Sequence, residues 1–258
     1  VLAVLVGWCI MGGGKRVVKA TSTLVPIMGL GYVVVSLIVL IAHANLIPSV
    51  FAQIFKDAFD FQSIFAGIAG SCMMYGIKRG LFSNEAGSGS APCAAAAAEC
   101  DDPVKMGFVQ ALGVLIDTVV ICSCTAFLML LVPQELTAGM AGMDLLQKAM
   151  QYHLGSFGIV FIAVTLALFS FSTFLGVLYY ARGNVAYLCG DNWWSQTAYK
   201  LLALAMLLVG GTQAYTVVWD LGDVGIGLMT IFNMLALVPL SGEALTALND
   251  YEKRKKIK

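Results

Sequence analysis

The chain has 258 residues, of which 59% are hydrophobic and 12% are charged, and its mean hydropathy is +0.86. A soluble domain has about 45–50% apolar and about 25% charged residues, so the composition excludes an ordinary soluble protein and predicts an all-α membrane protein. The 15 basic residues balance the 15 acidic ones, which gives no reason to propose a nucleic-acid partner.

The chain opens inside an apolar run, Val1–Met11, which we interpret as the severed end of a spanning helix. We therefore expect a single transmembrane domain over 1–258 that is incomplete at its N-terminus. About six further spans are predicted by the apolar runs: 24–42, 63–80, 103–132, 157–180, 198–209 and 224–240. Amphipathic segments near 46–60 and 143–152 are predicted to lie at the membrane interface.

The basic residues indicate the orientation of these spans. When successive connections are assigned to alternate sides, 13 of the 15 lysines and arginines fall on one side. Cytoplasmic connections are enriched in lysine and arginine. The pattern therefore predicts a plasma-membrane protein with several spans, whose stretch 76–105 and C-terminus are both cytoplasmic.

The stretch 76–98, GIKRGLFSNEAGSGSAPCAAAAA, interrupts this hydrophobic sequence with charged residues and glycines. Hydrocarbon tolerates irregular backbone only where the backbone is buried in protein or lines a wet cavity. Interrupted helices supply the solute and ion sites of many transporters. The stretch thus predicts a broken helix near 64–99, with its interruption near Gly80 facing a passage shared with the helix that bears Thr173.

Polar side chains within the predicted spans allow two interpretations each. Insertion of the Asp117 carboxylate at the centre of a span costs about 2.5–3.5 kcal/mol. One interpretation is a cation or proton site; the other is a structural carboxylate that caps the broken helix or pairs with Arg79. Ser172 and Thr173 offer hydroxyl ligands to sodium, or bond the preceding turn or a neighbouring helix. Lys78 and Arg79 are interpreted as an orienting, lipid-facing pair rather than a substrate clamp.

Enzymatic chemistry has no support in the sequence. No nucleophile is accompanied by a base and an orienting group, so the protein is not expected to be an enzyme. The seven cysteines lack the spacing of a zinc or redox site, and we expect no cofactor and no metal beyond a possible sodium ion.

The motif Gly76-Ile-Lys-Arg-Gly-Leu-Phe-Ser-Asn-Glu-Ala-Gly87, followed by Gly89-Ser-Ala-Pro92, strongly resembles the hallmark of the alanine or glycine:cation symporters. The resemblance extends along nearly the whole chain, for example at Asp117-Thr118 and Phe171–Thr173. It implies membership of the amino acid–polyamine–organocation superfamily and part of a LeuT-like fold with inverted five-helix repeats. It also implies sodium-coupled, in some cases proton-coupled, uptake of a small neutral amino acid.

The resemblance also implies roles for particular residues. Substrate-binding positions would be Met73, Ile77 and Gly80 on the broken helix and Thr173 on the eighth core helix. Ser172 and Thr173 would bind sodium. The candidates for structural or coupling roles are Lys78, Arg79, Asn84, Glu85 and Asp117.

One departure from the family pattern affects the expected substrate. The family usually has Gly-Trp-Ser-Tyr-Tyr where this chain has Gly176-Val-Leu-Tyr-Tyr180. Val177 would remove a large pocket wall, so Val177 is a further substrate-binding candidate and the pocket is predicted to accept amino acids larger than alanine or glycine.

The expected partners are a small neutral amino acid, sodium, the lipid bilayer and the missing N-terminal helices of the parent protein, without which we expect no transport. A proton-coupled carrier or exchanger on the same fold, with Asp117 as the protonated group, is one alternative. A non-transporting fragment, or a membrane subunit that binds an amino acid without moving it, is another.

Overall fold

The computed structural model describes residues 1–59 and 72–256, with only the backbone for Cys72, Met73, Leu81 and Lys256. Every regular element in these two ranges is a helix, which confirms the all-helical prediction. The beginning of the predicted span 63–80 lies outside the described residues. The helices, in chain order, are α1 (Leu2–Met11), α2 (Gly14–Ala42), α3 (Ile47–Ala58), α4 (Cys72–Asn84), α5 (Ser90–Ala96), α6 (Pro103–Leu115), α7 (Ser123–Leu130), α8 (Gln134–Thr137), α9 (Gly142–Cys189), α10 (Trp193–Gly210) and α11 (Tyr215–Lys256).

Four helical stretches of the described chain are long and apolar enough to cross a membrane. They are Gly14–Ala42, Pro103–Leu130, Gly142–Cys189 and Tyr215–Lys255. At about 1.5 Å per residue each exceeds the roughly 30 Å of a hydrocarbon core. The described part of the chain therefore has the helices that a multi-pass membrane protein needs.

Helix α9 consists of two helical parts that meet at Gly155, whose φ of 60° and ψ of −140° are not helical. The first part contains the segment near 143–152 that the sequence predicts as a separate helix, and the second contains the span predicted over 157–180. Other helices begin before their predicted spans, for example α2 at Gly14 rather than at residue 24. Helix α11 begins at Tyr215 rather than at residue 224. This earlier start places Asp220 and Asp223 inside the helix.

The buried core follows α9. Its first half packs on α2 and α7 through Tyr32, Leu128, Met150 and Ile162. Its second half packs on α1 through a second cluster that includes Val6 and Leu175, with residues of α10 against it. The outer faces of the long helices expose large apolar side chains, which suits a lipid environment.

Helices α6 and α7 are joined by a π-helical segment, Ile116–Cys122. One helical rod therefore continues from Pro103 to Leu130. Single π turns inside α-helices are frequent at functional sites. Asp117 and Thr118 lie in this segment, where the widened turn presents them to α4.

The sequence predicts that the glycine-rich stretch is interrupted near Gly80. The structure shows no interruption there. Helix α4 runs unbroken through Gly76 and Gly80 to Asn84. The break lies at Glu85–Gly89, where Glu85, Gly87 and Gly89 have φ of 53°, 87° and 96°. A glycine can stay helical at a cost of about 1 kcal/mol; it is the left-handed backbone that ends the helix.

The stretch from Lys78 to Asp102 runs beside α11 in the same direction. Arg79 binds Asp223, the Asn233 amide donates to the Gly87 carbonyl (2.9 Å), and the Arg254 guanidinium donates to Asp102 (2.8 Å). From Asp223 to Arg254 the helix rises about 46 Å, more than the roughly 30 Å of hydrocarbon.

The sequence predicts the stretch 76–105 as a cytoplasmic connection, whereas the two ends of this stretch lie near different ends of α11 in the structure. Lys78 and Arg79 lie at one end of α11, while the start of α6 lies at the other end with Arg254. Hydropathy segmentation missed this because it ends the span at the first charged residues and does not detect their carboxylate partner.

The cap of α6 provides a stability prediction. Asp102 accepts a hydrogen bond from the Val104 backbone N–H (3.0 Å) as N-cap and also binds Arg254. Asp102→Ala is expected to lower the free energy of unfolding by about 1–2 kcal/mol, because the cap is lost. Asp102→Asn keeps a capping oxygen and loses only the ion pair, so its effect is expected to be smaller. The thermal midpoint of the purified full-length gene product in detergent measures both.

The matched control for the cap is Asp101→Ala, since Asp101 is exposed and adjacent. An equal loss in Asp101→Ala and Asp102→Ala would contradict the assignment of the cap.

The break provides a second stability prediction. An alanine at position 89 would have to adopt the φ of 96° that Gly89 has, and its Cβ would lie 3.2 Å from the Asn233 side chain. Gly89→Ala is therefore expected to cost about 1–2 kcal/mol, the usual penalty for a left-handed non-glycine residue. Thermal unfolding in detergent checks this value.

Gly107→Ala is the control for Gly89→Ala. Gly107 lies inside α6 with nothing within 4 Å of an added Cβ, so alanine is expected to be neutral or to stabilise by up to about 1 kcal/mol. The same destabilisation in both variants would contradict the proposed geometry of the break.

Candidate functional site

An open cavity of about 580 Å³ lies where the break meets α9 and α11. Cavities that bind small molecules have volumes of about 300–1,000 Å³. The break and α5 contribute a carboxylate and two hydroxyls, and the two long helices contribute mainly apolar and aromatic groups. The lining residues are Glu85, Ser88, Gly89, Ser90, Cys93, Val177, Tyr180, Ala181, Asn184, Ile226, Met229 and Phe232.

The turn at the break is held by its own polar groups. The Ser88 backbone N–H and hydroxyl both donate to the Glu85 carbonyl, at 3.1 and 2.8 Å. The Asn84 side-chain oxygen accepts from the Ala86 N–H at 2.9 Å. Asparagine and serine favour such turns because they replace backbone partners locally. The backbone course of the turn that borders the cavity is therefore set by the sequence Asn-Glu-Ala-Gly-Ser.

The π-helical segment fixes the end of α4. The Ser83 hydroxyl donates to the Asp117 carboxylate (2.8 Å), and the Asn84 amide donates to the Thr118 hydroxyl (2.9 Å). The interpretation of Asp117 as the partner of Arg79 is wrong, because Arg79 binds Asp223. Asp117 instead ties the last turn of α4 to the π segment, and its role as a cation or proton site stays a prediction.

Lys78 and Arg79 form an ion cluster with Asp223, rather than the lipid-facing pair that the sequence suggested. The Lys78 ammonium lies 2.6 Å from the Asp223 carboxylate. The Arg79 guanidinium binds the same carboxylate in a bidentate manner, at 2.9 and 3.2 Å. The guanidinium carbon also lies 4.3 Å from the centre of the Trp219 ring. The charges of α4 are thus satisfied by α11.

Sequence reasoning missed Asp223 and Asn233. The last predicted span, 224–240, begins one residue after Asp223, and Asn233 lies within this apolar run. A signal for Asp223 is present: a carboxylate stands at the head of the last apolar run, and the predicted span 63–80 that bears Lys78 and Arg79 contains no acidic residue.

The structure brings some predicted site residues to the cavity and leaves others away from it. Val177, which is 39% exposed, and Glu85 line the cavity. Ile77, which is 58% exposed, Gly80 and Thr173 do not line it. The side chain of Met73 lies outside the described residues. The passage predicted between Gly80 and Thr173 therefore does not correspond to this cavity.

The proposed sodium ligands sit on consecutive positions of α9 but differ in their surroundings. The Ser172 hydroxyl is buried and donates to the Phe169 carbonyl at 3.0 Å, as serine in membrane helices often does. Thr173 is exposed. Sodium binding by either residue stays a prediction.

Comparison with known proteins identifies the family. The chain matches the model described as "Sodium:alanine symporter family" over residues 1–258. It is 40% identical to Probable sodium/glutamine symporter GlnT of Bacillus subtilis, over 99% of this chain and 53% of that protein. It is 37% identical to Sodium/proton-dependent alanine carrier protein of Bacillus sp. strain PS3, over 99% of this chain and 61% of that protein.

A more distant match lies in an archaeon. Sodium/alanine symporter AgcS of Methanococcus maripaludis is 35% identical over 94% of this chain and 53% of that protein. The chain thus spans little more than half the length of these relatives. It belongs to the sodium:alanine symporter family, a family of membrane transporters rather than enzymes.

Proposed function

We propose that the full-length gene product is a secondary active transporter that couples sodium entry to the uptake of a small neutral amino acid. One observation carries the proposal beyond family membership: the polar turn Glu85–Gly89 borders a cavity of suitable size. The turn is held by Asn233, which lies about 15 Å along α11 from Asp223. This distance is about half the thickness of a roughly 30 Å hydrocarbon core. Irregular backbone at this depth is stable where it lines a solvated site.

In this proposal α4, the turn and α5 form the broken helix of a LeuT-like inverted-repeat fold. The two half-helices meet at the cavity, which is where broken helices of transporters bind their solutes. Val177 and Glu85 would contact the solute, and Ser172 and Thr173 would bind sodium. The resemblance implies that the first core helix supplies the other half of this shell, so the activity is proposed for the full-length gene product.

We further propose that the protein lies in the plasma membrane with its C-terminus in the cytoplasm. The Asp102–Arg254 ion pair holds the start of α6 at the same end as the C-terminal part of α11. Lys105 and the Lys-Arg-rich tail then share that end, as cytoplasmic segments do. The cluster around Asp223 faces the outer side in this orientation.

A proton-coupled carrier is the second candidate. The relative from Bacillus sp. strain PS3 is named as sodium/proton-dependent. Asp117 lies in the π-helical segment directly beside the last turn of α4, where a change in its protonation would alter the hydrogen bond to Ser83.

Replacing sodium by choline at fixed pH distinguishes the two candidates. Uptake of labelled alanine by cells that express the full-length gene product is expected to fall about fivefold or more, since coupling factors between linked ligands are about 5–150-fold. Vector-only cells provide the background. Uptake that persists in choline and changes with pH instead would contradict sodium coupling and favour the proton-coupled carrier.

The solute range gives a prediction at Val177. Glutamine is expected to compete with labelled alanine in the wild type, because a valine leaves room where the family usually has tryptophan. In Val177→Trp, the concentration of glutamine needed for half-inhibition is expected to rise about tenfold or more, while unlabelled alanine still competes. Competition uptake assays measure both values.

Val160→Trp is the matched control for Val177→Trp, since Val160 is an exposed valine of the same helix that does not line the cavity. If only glycine and alanine compete with the wild type, the roomier pocket is wrong.

A further inference from the structure

The cluster of Asp223 with Lys78 and Arg79 is not used by the proposed transport cycle, yet it is the most strongly charged contact between α4 and α11. One carboxylate, only 12% exposed, serves two cations that are 43% and 37% exposed. Aromatic rings close the cluster on one side: the Phe82 and Trp219 rings lie 5.1 Å apart, and Arg79 lies over both. Asp223 is thus the only acidic group of the described chain that binds α4 in an ion pair.

The cluster lies next to the cavity on both helices that bear it. Ile226, the first α11 residue in the lining, is one helical turn beyond Asp223, about 4.5 Å along the axis. On the other side of the contact, Arg79 lies in α4 about 9 Å along the helix axis before Glu85. The other ion pair between this stretch and α11, Asp102–Arg254, is more than 30 Å beyond the lining residue Phe232 at about 1.5 Å per residue. The Asp223 cluster therefore lies about one helical turn outside the lining at one end of the cavity, whereas the second pair lies far from the lining.

We propose that Asp223 is a positioning residue that latches α4 to α11 at the outer end of the cavity, and that this latch opens when solute enters or leaves. The inference rests on the proposed transport function. A charge pair suits this task because its strength depends on solvation. Two partly exposed cations can return to water when the helices separate, whereas a packed apolar contact of similar area has no such compensation. The arrangement at the other end differs, since Asp102 also caps its own helix and is bound to a local backbone group.

The first test measures access to the cavity. Cys93 lines the cavity and serves as the reporter in full-length protein whose other cysteines are replaced. The probe is an uncharged, water-soluble thiol reagent, so that a change in local charge does not alter its delivery. In Asp223→Asn the rate of Cys93 modification from outside is expected to rise about tenfold, as for an open–closed equilibrium that has lost both ion pairs of Asp223. Asp223→Glu, which keeps the charge, is expected to restore slow modification.

Asp220→Asn is the matched control for Asp223→Asn. Asp220 lies one turn away on α11 and is exposed, so its loss is expected to leave the modification rate unchanged. Equal rates in wild type and Asp223→Asn, or an equal rise in Asp220→Asn, would overturn the latch. The rate of Cys93 modification can be measured whether or not the protein transports an amino acid. Absence of uptake would therefore refute the proposed function, while the modification rate would still test the latch.

The second test keeps the ion pairs intact and applies even if Asp223→Asn is not delivered to the membrane. A Cβ on Gly222 would lie 3.7 Å from the Phe82 ring, so cysteines at positions 82 and 222 can be bridged by a short bifunctional thiol reagent in a background without other cysteines. Bridging is expected to stop alanine uptake, and cleavage of the bridge by a reductant is expected to restore it. The two single-cysteine variants, treated alike, control for the reagent. Full uptake by the bridged protein would show that α4 and α11 do not separate during transport and would overturn the latch.

Discussion

The organisation of the described chain depends on how one polar, glycine-rich stretch is held against the last helix. Asp223, Asn233 and Arg254 bind this stretch at three successive levels of α11. The contacts follow the same order in both segments, so the stretch runs parallel to α11 over a membrane-scale distance. Arg79, the Gly87 carbonyl and Asp102 would each be costly in hydrocarbon without a partner, and each is matched by a group on α11.

The same contacts explain why a cavity lies at the break. Left-handed residues end α4, and the turn satisfies its own backbone groups: the Ser88 hydroxyl donates to the Glu85 carbonyl, and the Asn84 side-chain oxygen accepts from the Ala86 N–H. Helices α9 and α11 pass on either side of this turn without filling the space it leaves. The resulting lining is mainly apolar and includes the Glu85 side chain and two serines, and a mainly apolar lining with a few polar groups is expected of a small-molecule site. The π-helical segment adds a second support through Asp117 and Thr118.

Sequence patterns predicted the helical membrane fold, the family and the importance of this stretch, because hydropathy and a long motif are local signals. They misplaced the break, since Gly76 and Gly80 remain helical while Glu85, not a glycine, adopts a positive φ. They also misassigned Lys78 and Arg79. Their partner Asp223 lies 144 residues from Arg79 in sequence, and no local pattern encodes a contact between distant helices.

Labelling from the two sides of the membrane tests whether the glycine-rich stretch crosses the membrane beside α11. Single cysteines at positions 76 and 105, in a full-length background without other cysteines, are treated with a membrane-impermeant thiol reagent on intact cells and on inverted vesicles. Because the stretch runs along α11 from one end to the other, position 76 should be labelled from outside and position 105 only from the cytoplasmic side. Labelling of both positions from the same side would contradict the account.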